Sequence, residues 1–131
     1  MRIVLLSSAS SIINPLPLIS ASLKGQIKGV EVKEIICDSN LDLASEILHA
    51  KGDAVAAILF YGEESADVVL VMQKIVERDS KGKPVLKFLR KGEDFDENEE
   101  ADIISRSILA KLFGKEKTSV NERGSYKGLE S

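Results

Sequence analysis

The sequence predicts an α/β fold, a three-layer α/β/α sandwich around a four-stranded parallel sheet with spatial order 2-1-3-4. Three observations predict it. Four apolar runs, residues 2–6, 30–36, 54–60 and 85–89, have the length and β-branched content of strands. Longer segments of helical spacing separate them, the alternation that builds parallel sheets with helices on their faces. The second run alternates, with Val30, Val32, Ile35 and Ile36 set among Glu31, Lys33 and Glu34, as an edge strand with one wet face does. Right-handed crossovers then place the remaining strands in the stated order.

Each element has its own signal. Ile3-Val4-Leu5-Leu6 reads as a central strand covered on both faces, and it runs into Ser7-Ser8-Ala9-Ser10-Ser11. Asn14 suits an N-cap, and Pro15 after it loses no intrahelical hydrogen bond, so a helix is expected to start there with Leu16, Ile19 and Leu23 inward. Gly25 and Gly29 mark the return to the second strand. Ser39 and Asp42 have capping-box spacing, which starts the second helix near Ser39 or Asn40, with Leu41, Ala44 and Leu48 on one face. Gly52 stops it. The run 54–60 is the most apolar and should be the sheet centre. The third helix is expected to bury Val68, Val69, Met72, Ile75 and Val76, and Gly82 and Pro84 end it. After residue 89 comes an acidic stretch, 93–100, followed by Ala101, Ile104, Ile108 and Leu112 at helical spacing. Carboxylates in a first turn complement the helix dipole. Residues 1–114 therefore form a single α/β domain. Periodicity is lost over 115–131, which is expected to be a flexible C-terminal tail or an oligomerisation arm.

Composition narrows the function classes. A net charge of −3 over 131 residues argues against broad attraction to nucleic acid or to acidic membranes. No apolar stretch approaches the roughly 20 residues that span a bilayer as a helix. A lone cysteine, Cys37, forms no internal disulfide, and no leader-like segment opens the chain, so a reduced, cytoplasmic setting is expected. Charged residues at 30%, no Trp, and glutamine at Gln26 and Gln73 alone make a balance common in heat-adapted, thermophile proteins.

In a parallel α/β sheet, ligands bind outside the carboxyl ends of the strands. Four segments meet there: residues 7–11, 37–40, 61–65 and 90–94. Ser7, Ser8, Ser10 and Ser11 are candidates to surround an anion with hydroxyls and loop amides, although the run has neither glycine nor a Walker lysine. The alternative is a plain strand-to-helix connection whose serines satisfy turn hydrogen bonds. Asp38, Ser39, Asn40, Tyr61 and Gly62 are further ligand-binding candidates. Glu63 and Glu64 are the candidate general bases, with solvated loop charges as the alternative reading. His49, the single histidine, falls at the end of the second helix and suits solvent or the helix C-terminus better than catalysis. Cys37 reads as a small buried hydrophobe. No His/Cys metal cluster is visible, and no cofactor is expected.

The stretch 30–66 resembles the lumazine synthase superfamily, which includes archaeal-type riboflavin synthase. Asp42-Leu43-Ala44, the helix to Ala50, Gly52-Asp53-Ala54-Val55, the strand to Phe60 and then Gly62 follow that family's order of elements. The resemblance implies a pentamer-forming α/β subunit whose pocket accepts a ribityl pyrimidine or lumazine between neighbouring subunits. Asp42 and the loop at Gly62 are the positions that carry over, and the family's histidine after the third strand has no counterpart. The expected function is thus a small-ligand domain of lumazine-synthase type, a homo-oligomer acting in riboflavin biosynthesis on a ribityl-containing molecule. The alternatives are a non-catalytic interaction module and a binder of small phosphorylated molecules or nucleotides that uses the serine loop.

Overall fold

The computed structural model describes residues 1–114, so the expected tail or arm at 115–131 lies outside the described residues. The elements are β1 (Arg2–Ser8), α1 (Leu16–Gln26), β2 (Glu31–Cys37), α2 (Asn40–His49), β3 (Ala54–Tyr61), α3 (Ala66–Ser80), β4 (Leu86–Lys91) and α4 (Glu97–Phe113). All four strands are parallel, in the order β2-β1-β3-β4. Ser7 and Ser8 belong to β1 rather than to the loop after it.

Side-chain alternation along the two central strands explains the layers. Ile3 and Leu5 of β1, with Ala56, Ile58 and Phe60 of β3, pack under Leu16, Ile19 and Leu23 of α1 and Ala101, Ile104 and Ile108 of α4. Val4 and Leu6, with Val55, Ala57 and Leu59, pack under Leu43, Ala44 and Ile47 of α2 and Val68, Val71 and Ile75 of α3. Helices thus cover both faces of the sheet, and each fully buried Leu or Ile contributes roughly 1.5–3 kcal/mol. On β2, Glu31, Lys33 and Glu34 are exposed while Val32 and Ile35 are half-buried, the pattern of an edge strand.

The helix starts follow their caps. Ser39 is the N-cap of α2, and its Oγ accepts from the Asp42 amide at 3.1 Å. Asp96 caps α4 by accepting from the Asn98 and Glu99 amides. At α1 the cap position falls on Pro15, one residue later than expected, and Asn14 Oδ1 accepts from the Leu16 amide at 3.3 Å from just outside.

Two helices turn a different face inward from the one their apolar residues predict. The buried stripe of α2 is Asn40, Leu43, Ala44 and Ile47, and Leu41 is 59% exposed. In α3 the stripe is Val68, Val71, Ile75 and Arg78, and Val76 is 65% exposed. Each stripe keeps helical spacing but includes a polar residue that donates hydrogen bonds inside the protein, Asn40 to Asp67 and Arg78 to backbone carbonyls. Leu41 and Val76, one position round from Asn40 and Ile75, are left outside. Among the described residues no helix is long and apolar enough to cross a membrane.

Candidate functional site

The crossovers from β1 and β3 leave for opposite faces of the sheet, so the topological switch point lies between these two strands. The loop after β1 fills it. The Ile12 amide donates to Phe60 O at 2.8 Å, and Ser11 Oγ accepts from the Phe60 amide at 2.9 Å. The Ala9 amide donates to Cys37 O, the Ser11 amide to Ser8 O, and the Ser10 amide to Ser8 Oγ. Every amide from Ala9 to Ile12 is therefore used within the fold, which leaves the serine run no backbone donor for an anion. Ser10 is exposed, and the buried Ser7 Oγ has no hydrogen-bond partner among the described residues.

Beside the switch point, the N-termini of α2 and α3 lie together and carry a polar cluster. Asn40, 6% exposed, donates from Nδ2 to Asp67 Oδ2 at 3.0 Å. Ser65 Oγ and the Val68 amide both donate to Asp67 Oδ1. The Ser65 hydroxyl first, and Asn40 second, hold the Asp67 carboxyl below the usual carboxylate range. Asp67 is thus a permanent acceptor at neutral pH. Asn40 Oδ1 is buried and has no partner among the described residues, which makes it a second acceptor awaiting a donor.

The sequence candidates divide around this cluster. Asn40 belongs to it, Ser39 precedes it as the cap of α2, and Tyr61 packs half-buried on the α2/α3 side of the sheet. Tyr61 O also accepts from the Gly92 amide at 3.0 Å, which ties the ends of β3 and β4. In the neighbouring segment Arg90 pairs with the buried Glu100 at 3.1 Å, and Phe95 stacks edge-on against Phe60. Asp38, Gly62, Glu63 and Glu64 are exposed, and neither glutamate side chain makes a hydrogen bond among the described residues. Burial first, then the charges of Glu46, Asp42 and Asp38, push the half-buried Cys37 thiol up, so it stays protonated at neutral pH and is a poor nucleophile. His49 is exposed at the far end of α2, with Nδ1 2.8 Å from Ser45 O. No group of three or more His, Cys, Asp or Glu able to hold a metal occurs among the described residues.

Asp67 escapes a reading based on the apolar runs because it sits in the first turn of α3, where an acidic residue already serves the helix dipole. Two cavities open at the other edge of the sheet, by the amino ends of the strands. One of about 360 Å³ is lined by Lys51, Gly52, Asp53, Val55, Arg78 and Lys83 among others. The second, of about 230 Å³, lies against Arg2, Lys33, Glu46 and His49 and shares Lys51. Strand-end reasoning points away from this edge, and the one sequence signal for it is a charged Arg78 in register with the stripe of α3. No protein-family model and no curated protein matches the chain.

Proposed function

We propose that this chain is a small-ligand-binding α/β domain of lumazine-synthase type that holds a ribityl-bearing pyrimidine or lumazine at its carboxyl edge. The observation that carries this reading is the unpartnered, buried Asn40 Oδ1 beside the ionised Asp67 carboxylate. Both groups accept, so the complementary ligand must donate, and a polyol chain offers adjacent hydroxyl donors. A phosphate is disfavoured there despite the two helix N-termini, because it would face the Asp67 charge. Glu63 and Glu64 are the exposed carboxylates of the same edge and would serve as bases only after a ligand or neighbouring subunit covered them.

Titration of the protein with riboflavin while following flavin fluorescence tests this reading. Saturable binding is expected, lumiflavin, which lacks the ribityl chain, should fail to bind, and Asn40→Ala should weaken riboflavin roughly tenfold or more. Equal binding of riboflavin and lumiflavin, or unchanged affinity in Asn40→Ala, overturns it. Glu63→Gln with Glu64→Gln should leave binding intact and abolish any turnover that depends on a base.

A further inference from the structure

The larger amino-edge cavity is positively charged within a chain of net charge −3. Its lining sets Lys51, Arg78 and Lys83 against one carboxylate, Asp53, whose Oδ2 already accepts the Arg2 amide at 2.7 Å. Arg78 is 8% exposed and forms no ion pair among the described residues. A guanidinium keeps its charge when buried, so hydrogen bonds or an anion must compensate it. Nη1 donates to Ile47 O at 2.8 Å and to Ala50 O at 2.6 Å, closing the C-terminus of α2, and Nε donates to Lys83 O at 2.8 Å. Neutral carbonyls therefore fix the group in place without neutralising it. Nη2, with its two N–H donors, has no protein partner among the described residues, and neither Lys51 nor Lys83 forms an ion pair there.

We propose that this cavity binds a small phosphate monoester, with Arg78 Nη2 as the fixed donor and Lys51 and Lys83 as flanking charges. Three cations against one carboxylate leave a surplus that matches the dianion of a phosphate monoester. A volume of about 360 Å³ is more than bare phosphate fills, and it sits at the small end of ligand pockets, which favours an ester on a short carbon chain. Ala54, Val55 and Pro84 give the carbon portion an apolar wall. The backbone between Lys51 and Asp53 is held close to β1: a Cβ on Gly52 would come within 3.0 Å of Val4 Cγ2 and 3.2 Å of Arg2 O. The site is independent of the carboxyl-edge reading, since it lies across the sheet from Asn40 and Asp67.

Titration of the full chain with glycerol 3-phosphate at constant ionic strength, followed by backbone amide NMR, tests the proposal. Saturable shifts are expected at Gly52, Asp53 and Lys83, with none at Asn40 or Asp67. The double variant Lys51→Gln/Lys83→Gln changes two exposed side chains, should keep the native amide spectrum, and should weaken binding roughly tenfold. Absence of saturation in the millimolar range overturns the proposal, as does an unchanged affinity in the double variant. Inorganic phosphate binding as tightly as the ester overturns the assignment to an ester.

Discussion

Two buried polar side chains, Asn40 in the stripe of α2 and Arg78 in that of α3, tie these two helices to each other at opposite ends. Arg78→Met keeps much of the length of the side chain but removes the donors to Ile47 O, Ala50 O and Lys83 O. Stranding these carbonyls should cost about 3 kcal/mol or more, read as a lower urea midpoint with an unchanged m-value. At Asn40 the readout is acid sensitivity. The folded Asp67 carboxyl lies below its ordinary value, so its contribution is complete above the unfolded pKa and is lost as pH falls through the lower, folded one. Asn40→Ala removes one lowering hydrogen bond, so Asp67 should titrate at higher pH, as followed by carboxyl-carbon NMR. Neither role is legible in apolar periodicity, which counts a polar residue against a buried position. It cannot register that Asp67, and the Ile47 and Ala50 carbonyls some thirty residues from Arg78, are waiting to pair with Asn40 and Arg78.

Helix α2 shows where element-level reading works and where it stops. Its start is encoded locally, since the Ser39 hydroxyl needs only the amide three residues on, and Ser39→Ala should cost about 1 kcal/mol. Its rotational phase is set by what lies underneath. Leu43→Ala should cost about 2–5 kcal/mol by leaving a cavity in the core, whereas Leu41→Ala should fall within about 0.5 kcal/mol of the parent. Thermal or urea denaturation of the pair checks the inward face directly. The strands were easier to read because a continuous apolar run has no phase to mistake: β1 and β3 are buried on both sides. The serine loop was harder, because its ends pair with Cys37 and Phe60, contacts that exist only once the sheet is assembled.

At the scale of the whole molecule, both layers of the core close within the described residues, from Ile3 to Ile108. A chain ended at Gly114 should therefore unfold cooperatively with a midpoint close to that of the full chain. Sedimentation of both lengths would show whether 115–131 contributes to self-association. Strand order has one more consequence, for the protein as it is being made. β1 sits between β2 and β3, so the nascent chain can zip one side of this strand, apolar from Ile3 to Leu6, as soon as β2 emerges. The other side must wait for β3, about 50 residues after β1, which at the usual pace of synthesis means an unguarded interval of a few seconds. During that interval the ribosome presents a sticky, half-zipped ribbon, and vectorial synthesis makes β1 the stretch that most needs a chaperone's shelter.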